Sequence, residues 1–275
     1  MTPRELMTAV LAVAEAAGRE IMAIYEDASR WDVQQKDDDS PLTAADLAAH
    51  QSIERALRAL CPDVPVLSEE SETVPTEERQ SWSRFWLVDP LDGTKEFIAR
   101  NGEFSVNIAL VEGREAVLGV VHGPATGIGY VAARGEGAFR VQGGEWRAIR
   151  TRALPVGAPI KLCASRRHGD PREADFMAAV DAALGPVEVA TVGSAFKLCA
   201  VAEGAADAYP RLGPTMEWDT AAGQVVVEEA GGVLIDDRGR PFRYNARPGL
   251  RNGSFLVIGA EAARWQACWL PLFKA

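Results

Sequence analysis

The chain has 275 residues, with 29 Lys+Arg against 39 Asp+Glu, a formal net charge of −10. Apolar residues make up 47% and charged residues 25%; these globular proportions exclude wholesale disorder, and the length allows one large domain or two intimate ones. The acidic balance argues against nucleic-acid backbones and anionic membranes as main partners, but a small anionic substrate stays open, because a bound metal inverts the sign of a local field.

From the start, residues 3–28 read as an amphipathic helix. Leu6, Val10, Val13, Ala17, Ile21 and Ile24 recur at helical spacing, Thr2 and Glu5 have capping-box spacing, and Pro3 stands at the first helical position. With Glu5 and Glu15 in it, this start is not expected to be a secretory leader. The polar stretch 34–41 predicts an exposed loop. A second helix is expected over 43–60, ended by Pro62. A short strand over 64–67 leads into Ser68-Glu69-Glu70. The apolar run 84–88 predicts a buried strand that stops at Asp89-Pro90-Leu91-Asp92-Gly93-Thr94, since Pro90 cannot donate to a ladder. Strand patterns over 104–111, 116–122 and 128–133, separated by Gly-containing turns, predict antiparallel hairpins.

After Gln142-Gly143-Gly144 the pattern changes. Strands over 161–164, 187–190, 206–209, 233–235 and 255–258 alternate with helices over 171–184, 194–203, 219–230 and 260–270, as in an α/β layer. The expected fold class is α/β, with an α+β N-terminal part (1–155) and an α/β C-terminal part (156–275) packed tightly as one unit. Cys61, Cys163, Cys199 and Cys268 form no CxxC pair, which argues against a zinc ribbon or redox dithiol. Each lies among apolar neighbours and is expected to be a buried, reduced thiol, in keeping with a cytoplasmic location. No apolar run approaches the roughly 20 residues of a membrane helix, and nothing encodes a lipid anchor. Peripheral contact with the inner membrane face is left open.

The sharpest chemical feature is Asp89-Pro90-Leu91-Asp92-Gly93-Thr94. A turn here would aim both carboxylates and the Leu91 carbonyl into one space, and hard divalent cations take such oxygen ligands. A plain Asp-Gly turn is the alternative. The Asp-x-Asp-x-Thr spacing of haloacid-dehalogenase phosphatases fails, because Pro90 falls where the nucleophile should stand. Ser68-Glu69-Glu70 alone is equally a solvated turn. Asp219 is equally a first-turn acid of its helix, and Asp46 a capping-box residue after Thr43. His50 and His122 have no metal-ligand spacing and are expected to be structural or exposed.

Taken in order, the segments 40–46, 68–70, 89–94 and 217–223 resemble the lithium-sensitive, magnesium-dependent phosphatases of the inositol monophosphatase superfamily. Within it, Lys95-Glu96-Phe97, Asn101-Gly102-Glu103-Phe104-Ser105-Val106-Asn107, Ser165-Arg166-Arg167-His168 and the segment 209–215 are similar to the CysQ-type 3′(2′),5′-bisphosphate nucleotidases. The resemblance implies a layered αβαβα sandwich. It also implies Mg²⁺-dependent hydrolysis of 3′-phosphoadenosine 5′-phosphate to AMP and phosphate in support of sulfate assimilation.

By the same resemblance, Glu69, Asp89, the Leu91 carbonyl, Asp92 and Asp219 would hold two or three Mg²⁺ ions. Asp46, Thr94 and Glu69 would serve the attacking water, with Asp46 a positioning group. Asp92, Gly93, Thr94, Ser165, His168, Gly193, Ser194, Lys197, Arg211 and Asp219 would contact substrate. Departures at Ala195, Arg167 and Asn252-Gly253 bear on substrate preference. An inositol or sugar monophosphatase is the rival enzyme, and a non-catalytic metal- and nucleotide-binding regulator the rival of another class. Monomer and homodimer are both open.

Overall fold

The computed structural model describes residues 1–27, 29, 31, 33–35, 41–154, 157–164 and 170–273. Helix α1 (Pro3–Tyr25) starts on a capping box. The Thr2 hydroxyl accepts from Glu5 N at 3.2 Å, and the Glu5 carboxylate accepts from Thr2 N at 2.7 Å. It ends at Tyr25, short of the expected 28. Strands β1 (Gln34–Gln35) and β2 (Pro41–Leu42) pair antiparallel, so the two ends of the expected loop form a small ladder. Helix α2 (Ala44–Leu60) follows, with Ala45, Ala49, Ile53 and Leu57 on its buried face.

Strand β3 (Val66–Ser68) crosses through helix α3 (Thr76–Ser81) to a parallel neighbour, β4 (Arg84–Asp92). After helix α4 (Thr94–Ile98) an antiparallel meander runs through β5 (Ser105–Glu112), β6 (Glu115–Gly123), β7 (Ile128–Ala133), β8 (Gly137–Gln142) and β9 (Glu145–Ile149). These complete a seven-stranded sheet in the order β3-β4-β5-β6-β7-β8-β9.

Strand β10 (Ile160–Ala164), helix α5 (Pro171–Leu184), β11 (Val187–Thr191), helix α6 (Phe196–Ala202) and β12 (Ala208–Arg211) come next. Helix α7 (Glu217–Glu229), β13 (Val233–Asp236), β14 (Phe255–Ile258), helix α8 (Ala262–Trp269) and a 3-10 turn (Leu270–Phe273) close the described chain. The second sheet runs β11-β10-β12-β14-β13, with β14 antiparallel to both neighbours.

Three apolar layers bind the five. Met7, Ile21 and Ile53 of α1 and α2 pack on Trp86, Val88 and Ile108. The opposite face of the same strands, Phe85, Leu87 and Ala109, meets α6 and α7 through Leu198, Ala222 and Val226. Successive β4 side chains thus alternate between two buried layers, which is why the strand reads as unbroken apolar sequence. Tyr209 and Val257 bring the second sheet against the middle helices, and its outer face packs on Phe176, Val180, Trp265 and Trp269 of α5 and α8. Each large apolar side chain buried this way contributes roughly 1.5–3 kcal/mol. The stack is helices, sheet, helices, sheet, helices: the αβαβα sandwich.

Three expectations need correction. Strand β4 does not stop at Asp89. It continues to Asp92 by way of a bulge, in which Asp89 faces Asn107 and Asp92 faces Ser105, so one extra residue is accommodated and Pro90 needs no ladder donor. Gly143-Gly144 does not mark a change of layer. With φ of 58° and 82° it is the tight turn of the β8–β9 hairpin, whose strands the periodicity did not reveal. Cys61 is half-buried, whereas Cys163, Cys199 and Cys268 are buried; all four are free thiols.

Candidate active site

The β4 bulge sets the site. Asp89 is buried, and its Oδ1 accepts from Leu91 N at 3.0 Å, which folds the Asp-Pro-Leu segment back on itself. Gly93 then takes φ +94°, where a side chain would be strained, and a Cβ there would stand 3.2 Å from the Glu103 carbonyl. It caps α4, whose first residue is Thr94. The Thr94 hydroxyl lies 3.2 Å from Asp46 Oδ1 and 3.4 Å from the Leu91 carbonyl. Asp46 arrives from α2 as its capping-box acid, its Oδ2 accepting from Thr43 N at 2.8 Å and Thr43 Oγ1 at 2.5 Å. Asp46 is therefore a capping-box acid whose other oxygen stands beside the Thr94 hydroxyl.

Glu69 follows β3 directly, and its N donates to the Val88 carbonyl at 3.0 Å, which ties it beside the start of the bulge. Asp219 sits in the first turn of α7 and accepts from Met216 N at 2.8 Å. Asp92 is held by Asn107 Nδ2 at 3.5 Å. Burial, then the charges of Glu69, Asp92, Asp219 and Asp46, pushes Asp89 well above the usual carboxylate range. Burial raises Asp92 to about 6, opposed first by Lys197. Burial and the neighbouring Asp92 raise Asp219 to about 8.

Of these groups, Asp92 and Asp219 line a cavity of about 460 Å³ that also presents Gly93, Gly193, Ser194, Lys197 and Arg211. Gly193 is a close-approach glycine, since a Cβ would meet the Glu103 side chain and carbonyl at 2.7–2.8 Å. Ser194 holds φ +43°, and its hydroxyl accepts from Ser105 Oγ at 3.2 Å. Lys197 is buried, donates to the carbonyls of Ser194 at 2.8 Å and Val192 at 3.3 Å, and lies over the Tyr209 ring. Burial lowers its pKa, and Asp92 opposes that shift. Arg211 is buried and donates to the Pro214 carbonyl at 3.0 Å. Ser165 and His168 lie outside the described residues.

The cavity wall also includes Lys95, Glu96, Tyr209, Thr215 and Thr220, which were not assigned to the site from sequence. All but Thr220 stand inside the nucleotidase-like segments, so the signal was present; Thr220 belongs to the 217–223 segment. His50 packs against Ser68, with Nδ1 and Oγ 3.0 Å apart, and burial lowers its pKa. His122 is buried and pushed down to about 4, which keeps it neutral.

Among the described residues no three His, Cys, Asp or Glu side chains form a ready-made ligand cluster. The donor set nonetheless fits a hard cation. It offers carboxylate and carbonyl oxygens only, and buried acids that raise one another's pKa are stabilised by an added positive charge.

The comparisons with known proteins agree with this geometry. The model of the inositol monophosphatase family matches residues 3–266. The proteins called 3′(2′),5′-bisphosphate nucleotidase CysQ of Escherichia coli O157:H7 and of Escherichia coli strain K12 are each 45% identical over 252 residues, which is 92% of this chain and 99% of theirs. The crystal structure of CysQ from Bacteroides thetaiotaomicron superposes with a TM-score of 0.82 at 38% identity, covering 94% of this chain and 99% of that one. With the sandwich, the bulge and the acids of four segments all in place, the chain belongs to the inositol monophosphatase family, whose members are metal-dependent phosphatases.

Proposed function

We propose that this phosphatase is a 3′(2′),5′-bisphosphate nucleotidase that hydrolyses 3′-phosphoadenosine 5′-phosphate to AMP and phosphate, and so supports sulfate assimilation. One observation carries the reading: a single cavity joins the acids Asp92 and Asp219 to two buried cations, Lys197 and Arg211. A bisphosphate needs both, one end for the reacting phosphate and the other for the second. Charge-assisted contacts from Lys or Arg suit such a phosphate.

Glu69, Asp89 and the Leu91 carbonyl would hold one Mg²⁺, and Asp89, Asp92 and Asp219 a second; a third ion has no assigned ligands. When bound, Mg²⁺ neutralises phosphate oxygens, acidifies a water and stabilises the leaving oxygen. Asp46 positions the Thr94 hydroxyl, whose lone pairs then accept from the attacking water. The water oxygen bonds to phosphorus as the bond from phosphorus to the ribose oxygen breaks; the water gives up one proton to solvent, and the ribose oxygen takes one up from solvent to leave as a hydroxyl. The backbone N–H groups of Gly93 and Thr94, at the start of α4, would donate to phosphate oxygens. Ser194, Gly193, Lys197 and Arg211 form the wall for the nucleotide. The two parts, 1–155 and 156–275, work as one phosphatase unit, because α7 brings Asp219 from the second to the first.

The test is phosphate release with Mg²⁺ from 3′-phosphoadenosine 5′-phosphate, inositol 1-phosphate and fructose 1,6-bisphosphate, with Asp89→Asn and Asp92→Asn as controls. A preference for the nucleotide, lost in both variants, is expected. A preference for inositol phosphate would keep the phosphatase and overturn the substrate. Nucleotide binding with no release from any of the three would favour the non-catalytic regulator.

A further inference from the structure

A chain of buried polar groups lies behind the acids. Arg79 on α3 is 3% exposed, Asn245 2% and Glu217, the first residue of α7, 0%. Every polar atom of Asn245 is engaged. Its N donates to Glu217 Oε2 at 2.6 Å, and its carbonyl accepts from Arg114 Nη1 at 2.6 Å. Its side-chain oxygen accepts from Arg79 Nη1, and its side-chain nitrogen donates to the Arg79 carbonyl. Arg79 also donates to the carbonyls of Arg247 and Pro248. Asn245 holds φ +52°, a conformation Asn tolerates better than most residues. Glu217 N donates to the Leu250 carbonyl at 2.9 Å.

Cohesion alone does not call for such a network. Buried charges are costly to desolvate, and apolar side chains of similar volume often stabilise as well or better. What directional hydrogen bonds add is a fixed geometry. The network's two ends are telling. One is α3, the crossover between β3 and β4, whose C-terminal ends carry Glu69 and Asp89. The other is the first turn of α7, which carries Asp219 two residues after Glu217.

We propose that Arg79, Asn245 and Glu217 are positioning residues that hold Asp219 in register with Glu69 and Asp89. This rests on the metal-site reading given above. The test is Mn²⁺ binding by isothermal titration calorimetry on the whole protein without substrate, beside kcat, KM and thermal melts. Glu217→Leu and Arg79→Met should each weaken Mn²⁺ binding by about 10–100-fold, the range for lost partners of metal-ligating groups. Glu217→Gln, which still offers an oxygen to Asn245 N, should keep wild-type affinity. Val180→Ala in the outermost layer supplies a fold destabilised elsewhere. Wild-type affinity in both Glu217→Leu and Arg79→Met, or a loss no greater than that of Val180→Ala, would overturn the inference. Should Glu217→Leu fail to fold, Arg79→Met decides alone. No Mn²⁺ binding by the wild-type protein would instead overturn the metal site, and this inference with it.

Discussion

Each oxygen of Asp46 has its own partners: Oδ2 accepts from Thr43, and Oδ1 faces the Thr94 hydroxyl. A hydroxyl has one proton to give. Spent on Asp46 Oδ1, it leaves the Thr94 oxygen as an acceptor for water, so the two residues should act as a unit. Asp46→Asn and Thr94→Val are each expected to lower kcat about 100-fold, the lower range for a lost proton-handling group. The double variant should be little worse than either single one, as for residues that work together. Steady-state kinetics on the three proteins checks this, and multiplicative losses would show that they act separately. At this scale Asp89 and Asp92 stood out by residue type and spacing, whereas Asp46, Glu69, Thr94 and Asp219 were assigned only through the resemblance of the four segments. The acceptors that hold Lys197, the carbonyls of Val192 and Ser194, were not legible, since a backbone carbonyl has no letter of its own. Arg79 and Asn245 were equally silent, lying 166 positions apart with no shared motif.

Among the elements, α7 decides how closely the middle layer sits on the first sheet. Its small residues Ala221-Ala222-Gly223 permit close approach on two sides. A Cβ on Gly119 of β6 would overlap the Ala222 backbone, and one on Gly223 would stand 2.8–2.9 Å from the Leu198 side chain. Gly119→Ala should therefore cost about 1–3 kcal/mol, as overpacking does, and lower kcat by moving Asp219 with its helix. Gly249→Ala, which meets nothing within 4 Å, should leave both stability and kcat near wild type. Denaturant melts and turnover on both variants make the comparison; equal behaviour would refute the close-packing argument. Helices α1, α2, α5, α6, α7 and α8 were legible to within a few residues because their apolar stripes and caps are local, whereas the short α3 and α4 were not read from the sequence. The β4 bulge was not, because Pro90 signals a stop and only the partner strand reveals the extra residue. Strands β8 and β9 escaped because their outer faces stay partly exposed and their apolar pattern is weak.

For the whole molecule, the acid cluster links stability to pH. Asp92 and Asp219 start near 3.8, and burial in the fold raises them to about 6 and about 8. The folded form then holds more protons than the unfolded one, so stability falls as pH rises through that window. On the metal-site reading proposed above, bound Mg²⁺ would favour the ionised acids and offset the loss. The gain in melting temperature on adding Mg²⁺ should thus be larger at about pH 8 than at about pH 5, by the same linkage. Melts with and without Mg²⁺ across that range test it, and an equal gain throughout would count against the shifts. The α/β class was legible from the alternation of patterns, whereas the layered sandwich was expected only through the family resemblance. The assignment of layers was not legible, because α7 belongs by sequence to the second half and by packing to the first sheet.

That crossing of α7 has a consequence for synthesis. A ribosome releases Glu69, Asp89 and Asp92 more than a hundred residues before Asp219. Until α7 emerges, Phe85, Leu87 and Val121 lack that helix's share of the cover on that face of the sheet. A nascent chain therefore carries an unfinished set of acids and a partly bare apolar surface at the same moment, and one helix completes both.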